Sequence, residues 1–140
     1  MDIDFVPPEP KPTWLPFDVD LIQDRIITAV LAQHDGVNRW WAVALMFGSD
    51  ALVIEVDRDT DEVLLTYGVV AEPEEEPWLP ANLLSEFIGE PFGWCWLGRN
   101  SQGYVDSFSI SLSDQVWPDF CFIGAASSLT CRRLSQMSAP

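Results

Sequence analysis

The chain has 140 residues, a length that suits one ordinary domain with a substantial buried core. Hydrophobic residues make up 48% of it and the formal net charge at pH 7 is −15, so the chain is too apolar for a disordered protein and is strongly acidic. A negative field of this size counts against nucleic-acid binding. No run of residues reaches the ~18 apolar positions of a membrane span, which counts against membrane insertion.

The N-terminal segment is rich in proline. Four prolines between Pro7 and Pro12 fix φ and remove backbone donors, so residues 1–13 are expected to form an extended Pro-rich arm. The arm lacks the basic and apolar stretches of a signal peptide, which indicates a cytoplasmic protein. Residues 14–140 are expected to form a single β-rich domain.

The first half of that domain predicts one short helix and four strands. The helix should follow Pro16, with Asp18 or a neighbouring residue as its N-cap and Leu21 and Ile22 facing inward. Segments rich in β-branched or apolar residues predict strands at 25–33, 40–47, 51–56 and 63–67. The acidic run 57–62 is typical of a hairpin loop.

The second half repeats this order after an acidic, Pro-containing connection at 72–77. A helix is predicted from Trp78-Leu79-Pro80 to Ile88, with Leu83, Leu84, Phe87 and Ile88 on one side. Strands are predicted at 92–97, 104–112, 120–124 and 129–134.

Short sequence matches relate the two halves. Trp-Leu-Pro at 14–16 recurs at 78–80, and Ser-Asp at 49–50 recurs at 113–114. The half-repeats would run from about 14 to 71 and from 78 to 136. The sequence therefore predicts an α+β fold, mainly antiparallel β, with about eight strands in two similar halves. A pseudo-twofold duplication would relate the halves, each preceded by a short helix.

Acidic residues are concentrated in the middle of the chain. Between Asp50 and Glu76 there are ten acids and a single base, Arg58. Opposite charge accelerates association with a basic protein, so this surface is the predicted partner-binding site; the alternative is that it serves only solubility. The predicted partner-binding residues are Asp57, Asp59, Asp61, Glu62, Glu72, Glu74, Glu75 and Glu76.

A second set of residues suggests a pocket. Alternation along 104–112 places Asp106 on the same face as Phe108 and Ile110, where a carboxylate needs a partner. Either it accepts backbone N–H groups from the loop at 100–103, or it belongs to a ligand or catalytic site. The candidate pocket residues are His34, Arg99, Asn100, Tyr104 and Asp106.

Aromatic residues around the first strand of the second half allow two interpretations. Phe92, Trp94 and Trp96 share one face by alternation. Together with Trp78 they could form a platform for sugars or for a partner's side chains, but large aromatics on one face of a strand usually fill the interior, and the core interpretation is favoured.

The sequence lacks the usual signatures of enzymes and metal sites. It contains no nucleophile elbow and no glycine-rich phosphate loop, and Cys95, Cys121 and Cys131 form no Cys-x-x-Cys pair. These thiols are expected to be buried and inert. The run Asp57-x-Asp59-x-Asp61 begins like a calcium loop, but Glu62 stands where such a loop needs Gly. No catalytic residue, metal or cofactor is predicted.

Two stretches, Ile88-Gly-Glu-Pro-Phe-Gly-Trp-Cys-Trp96 and Asn100-Ser-Gln-Gly-Tyr-Val-Asp106, resemble small bacterial domains of uncharacterised function. The resemblance covers about the second half and implies no activity. In size, acidity and β-rich character the chain is also similar to bacterial toxin-immunity proteins.

The functional expectation is a non-enzymatic acidic domain that binds or inhibits a basic protein. The alternative is a small-molecule-binding protein or enzyme with a pocket around Asn100, Tyr104 and Asp106. Homo-oligomerisation through the two halves is also open.

Overall fold

A computed structural model describes residues 15–69, 77–113 and 116–134. These residues form nine antiparallel strands and two short 3-10 turns. The strands are β1 (Ala29–Gly36), β2 (Arg39–Phe47), β3 (Asp50–Val56), β4 (Val63–Gly68), β5 (Leu79–Pro80), β6 (Phe92–Arg99), β7 (Val105–Leu112), β8 (Phe120–Ala125) and β9 (Ser128–Arg133). The 3-10 turns are η1 (Val19–Leu21) and η2 (Asn82–Phe87).

Tight turns determine most of the strand connections. Asn38 and Gly48 have positive φ values, of 53° and 79°, in the turns after β1 and β2. Ala126 and Ser127, with φ values of 53° and 62°, form the two-residue turn between β8 and β9. Positive φ at both central residues matches the twist of a hairpin, so the local backbone favours consecutive antiparallel pairing.

The strands form one sheet built from two four-stranded meanders. Its order is β4-β3-β2-β9-β8-β7-β6, with β1 on the free side of β2 and β5 beside β1. Along one side, β2 pairs with β3 over Ala42–Phe47 and then with β9 at Trp40, opposite Leu129. Because β9 begins where β3 ends, the β3–β4 loop lies next to the β8–β9 turn.

The sheet curls into a half-barrel around a single hydrophobic core. The β4 strand packs against β7, and the enclosed side chains include Leu45, Ile54, Phe108 and Phe122, all fully buried. The segment before β1 covers one end. There Asp24 N–H donates to Phe92 O at 2.8 Å, so this segment runs along the start of β6.

The α+β prediction is wrong, because no α-helix forms among the described residues. Asp18 caps η1 by accepting from Asp20 N–H at 3.0 Å, but that turn has only three residues. The segment predicted as the second helix contains β5 and η2. The backbone of η2 is kinked at Leu84, whose φ of −108° and ψ of 16° are not helical. Leu84 and Phe87 are buried, whereas Leu83 and Ile88, predicted on the same side, are 58% and 49% exposed.

The structure does not support the predicted pseudo-twofold duplication. In such an arrangement equivalent strands of the two meanders would make equivalent contacts, but the second strand of the first meander pairs with the last strand of the second. The matching tripeptides also differ. Leu79 and Pro80 pair with β1, whereas Leu15 and Pro16 lie in a bend before η1.

Some expectations about domain organisation lie outside the described residues. The N-terminal arm and most of the acidic connection, residues 72–76, are among them, so the predicted boundaries stay predictions. Within the described ranges, no helix has the length and apolar character needed to cross a membrane.

Candidate functional site

The β3–β4 loop is held in shape by its own carboxylates. Asp57 Oδ1 accepts from the backbone N–H groups of Asp59, at 2.9 Å, and Thr60, at 3.2 Å. Asp61 has a positive φ of 63°. Short side-chain acceptors of this type stabilise turns, because they satisfy amides that would otherwise need water.

The β8–β9 turn holds the β3–β4 loop in place through hydrogen bonds. Ser127 N–H donates to Asp61 Oδ1 at 2.8 Å, and Ser127 Oγ donates to Arg58 O at 2.7 Å. Gly124 allows this approach, since a Cβ at that position would overlap the Asp61 carbonyl oxygen. The acidic loop is therefore a fixed part of the sheet's end.

The β6–β7 loop is organised by Asn100. Its Oδ1 accepts from Gln102 N–H at 2.9 Å and from Tyr104 N–H at 3.2 Å, and its backbone carbonyl accepts from Gly103 N–H at 3.0 Å. The expectation that Asp106 would accept from this loop is not met, because Asn100 fills that role. Among the described residues no hydrogen bond reaches the Asp106 carboxylate, which is partly exposed.

The two loops and the end of β8 enclose one cleft of about 440 Å³. Its lining is mainly polar and includes two carboxylates, Asp61 and Asp106, and none of the described residues that line it is Lys, Arg or His. The lining residues are Thr60, Asp61, Asn100, Ser101, Gln102, Tyr104, Asp106, Gly124 and Ala125. The cleft thus has the charge and hydrogen-bonding groups to hold a cationic group.

The structure places half of the predicted partner-binding residues together. Asp57, Asp59, Asp61 and Glu62 share the loop that borders the cleft. The other four, Glu72, Glu74, Glu75 and Glu76, lie outside the described residues. Arg58 is the basic residue of this loop, and its guanidinium lies 3.7 Å from the centre of a ring of Trp41.

The predicted pocket is only partly assembled. Asn100, Tyr104 and Asp106 line the same cleft, although they come from a loop and a strand end. His34 lines a different pocket beside β5, and Arg99 donates to Gly103 O at 3.2 Å without lining the cleft.

Sequence reasoning missed several residues of the cleft. Thr60, Ser101 and Gln102 carry no individual signal in a polar loop. Gly124 does carry one, because a glycine inside a strand pattern often marks the close approach of another backbone. In the structure the approaching backbone is that of Asp61.

A polar cluster at the opposite end of β3 was also missed. Arg25 makes a two-pronged ion pair with Asp50, at 2.7 and 3.0 Å, and also donates to Phe47 O at 2.7 Å. Tyr67 Oη donates to Asp50. The Arg25 guanidinium and the Tyr67 hydroxyl hold the pKa of Asp50 well below its usual range. The cluster joins the segment before β1 to β3 and β4.

Metal and thiol chemistry find little support in the described part of the chain. No three His, Cys, Asp or Glu side chains there are grouped so that they could hold a metal ion. The three cysteines are expected to be buried, but each is only half-buried. Partial burial still raises the pKa of Cys95 and of Cys131 to about 12, so these two thiols are poor nucleophiles at neutral pH.

Comparison with known proteins identifies the family and no function. No curated protein and no solved structure matches the chain significantly. A family model does match, over residues 12–138, which agrees with the resemblance to uncharacterised domains and carries nothing about toxin immunity. The chain belongs to DUF6334, a family of unknown function.

Proposed function

We propose that this protein is a non-enzymatic binding domain whose acidic β3–β4 loop and adjoining cleft engage a basic protein. The observation that carries the proposal is the convergence of Asp61 and Asp106 on one cleft that is lined, within the described ranges, by no basic side chain. The two carboxylates lie far apart in the sequence, and only the meeting of the loops makes them neighbours.

The size of the cleft suits one long basic side chain. A volume of about 440 Å³ accommodates the stem and head of a lysine or arginine from a partner. The carboxylates would pair with the cationic head, while the hydroxyl oxygens of Ser101 and Tyr104, which line the same cleft, would accept further hydrogen bonds from it. A buried cationic side chain needs this combination, because an unpaired charge removed from water is costly.

The surrounding loop favours fast association. Asp57, Asp59 and Glu62 belong to the same β3–β4 loop as the cleft residues Thr60 and Asp61 and add to the negative charge near the cleft. Opposite charges steer encounter and their effect weakens as salt rises. Because Ser127 and Gly124 hold the loop in place, little ordering is required when a partner arrives.

The proposal can be tested with a defined basic probe. Isotope-labelled protein is titrated with the peptide acetyl-Lys-Lys-Lys-Lys-amide, and amide shifts are expected in residues 57–62 and 100–106 at low salt. High salt should remove them. The Asp106→Asn variant should bind several-fold more weakly. The matched control is Asp20→Asn, which removes the same charge from an exposed carboxylate outside the cleft.

Two results would contradict the proposal. One is a set of shifts spread over the whole surface, which indicates non-specific attraction. The other is an equal loss of affinity in Asp106→Asn and Asp20→Asn. A pull-down from the native source, with wild type and Asp106→Asn compared at two salt concentrations, then identifies the partner.

An inhibitor or immunity factor for a basic toxin is one form that this function could take, and it is supported by acidity and size alone. The rival is a small-molecule binder that uses the same cleft, whose volume lies within the range of ligand pockets. A thermal-shift screen of metabolites on wild type and Asp106→Asn separates them: a ligand that stabilises only the wild type favours the rival.

A further inference from the structure

A second cavity, of about 380 Å³, lies between the β1–β2 turn and η2. Its lining differs from that of the acidic cleft, because it is mainly apolar and no Asp, Glu, Lys or Arg is among the described residues that line it. The lining residues are His34, Gly36, Val37, Asn38, Trp40, Asn82 and Leu83.

The fold places these residues for clear reasons. His34 and Trp40 are opposite each other across the β1–β2 pair, where the register shifts on both sides of His34. Trp40 is almost fully buried and forms an apolar floor, whereas Val37, at the turn, and Leu83, on η2, are 89% and 58% exposed. The cavity therefore has a rigid base and an accessible rim.

His34 has a defined hydrogen-bonding state in its neutral form. Its Nε2 lies 3.1 Å from the carbonyl oxygen of Pro80. A carbonyl can only accept, so Nε2 carries the proton and Nδ1 is an acceptor. The side-chain amides of Asn38 and Asn82 add donors and acceptors to the same lining.

The cavity continues toward β8 and β9. A neighbouring cavity of about 210 Å³ shares Asn38 and Leu83 with it and reaches Phe120 and Cys131. An ion pair between Arg133 and Glu86, at 3.0 Å, stands at that far end. The two charged residues named in the lining of this neighbouring cavity are therefore paired with each other.

We propose that this cavity binds a small uncharged aromatic molecule of two fused rings that carries an N–H or O–H group. An apolar cavity of roughly 150 Å³ is enough for benzene, so the volume here allows a second ring. The neutral lining in a chain of net charge −15 selects against anions and offers cations no partner. The rings would pack against the exposed side chains of Val37 and Leu83 beside the nearly buried Trp40, and the N–H or O–H would bond to His34 Nδ1 or an Asn oxygen.

The test uses 5-fluoroindole as the probe and fluorine NMR as the readout. Wild-type protein should give saturable binding, and the indole N–H signal of Trp40 should shift while that of the exposed Trp94 stays in place. The Leu83→Arg variant places a charged side chain over the rim and should weaken binding at least tenfold. Ile88→Arg, at a residue 49% exposed just beyond η2, is the matched control and should bind as wild type does.

Asn82→Ala gives a second, milder variant that removes a hydrogen-bonding group and should weaken binding severalfold. Thermal unfolding of each variant identifies any that has lost its fold. Non-saturable binding to wild type, or equal binding by Leu83→Arg and wild type, would overturn the proposal.

Discussion

Gly124 faces the backbone carbonyl of Asp61 so closely that any side chain at position 124 would overlap it. This contact joins the end of β8 to the acidic loop, and both elements line the cleft. The position of the loop therefore depends on a residue that bears no functional group.

Gly124→Ala should lower the free energy of unfolding by about 1–3 kcal/mol, because the added methyl group must displace the loop backbone. Amide shifts should change over residues 57–62. The measurements are urea unfolding and an NMR spectrum of the variant. Gly36→Ala is the control, since a Cβ there would make only an ordinary 4.0 Å contact with Arg39 Cβ, and it should leave stability almost unchanged. Equal effects in both variants would show that Gly124 is not a point of close approach.

Asp50→Asn should lower the free energy of unfolding at neutral pH, and it should make that free energy fall less steeply as the pH is lowered. The pKa of Asp50 is lower in the folded protein than its ordinary value of 3.8, so the unfolded chain binds more protons between the two values. The contribution of Asp50 is fully present above about pH 4 and is lost as pH falls through the folded pKa. The gap in urea midpoint between wild type and Asp50→Asn should narrow from pH 6 to pH 2.

The comparison variant for this experiment is Asp59→Asn, at an exposed loop carboxylate. It should track the wild type over the same pH range. A gap for Asp50→Asn that stays constant down to pH 2 would mean that Asp50 is not held in its charged form by Arg25 and Tyr67.

Leu83 and Phe87 both lie in η2 but differ in their exposure to solvent. Phe87 is fully buried, so Phe87→Ala should destabilise the protein by about 3–5 kcal/mol. Leu83 is 58% exposed, and Leu83→Ala should change stability by no more than about 0.5 kcal/mol. Chemical denaturation of the two variants checks this, and a large loss in Leu83→Ala would favour a longer helix that buries both.

Cys95 and Cys131 should react slowly with iodoacetamide in the folded protein. A pKa of about 12 leaves a thiolate fraction at pH 8 that is roughly a thousandfold lower than that of an ordinary cysteine. Mass spectrometry after timed alkylation, with and without urea, measures the protection at each site. Rapid labelling of Cys95 or Cys131 in the native protein would show that the core opens readily around them.

Local pattern predicted most of the strands, although the strand predicted at 25–33 is β1 (Ala29–Gly36), and β5 was predicted as part of a helix. The apolar run at 40–47 and the hairpin around residues 57–62 correspond to β2 and to the β3–β4 connection. These features depend on neighbours in sequence, on alternation and on turn residues, which the chain itself displays.

The alternation pattern failed in β6, where a bulge changes which side chains face the core. Alternation placed Phe92 and Trp94 on one face, but the pairing of β6 with β7 shifts register between Phe92 and Cys95. Phe92 is therefore fully buried and Trp94 is 52% exposed, which overturns the core interpretation of Trp94. A bulge of this kind depends on the partner strand, so the sequence of β6 alone could not reveal it.

The sequence by itself determined an acidic, β-rich chain with short antiparallel hairpins, because composition and alternation act over a few residues. Only the tertiary structure decided that β9 follows β3 along β2, and hence that Asp61 and Asp106 share a cleft from which His34 is separated. Contacts between residues so distant in the chain depend on how whole strands pack around one core, and no local pattern encodes that choice.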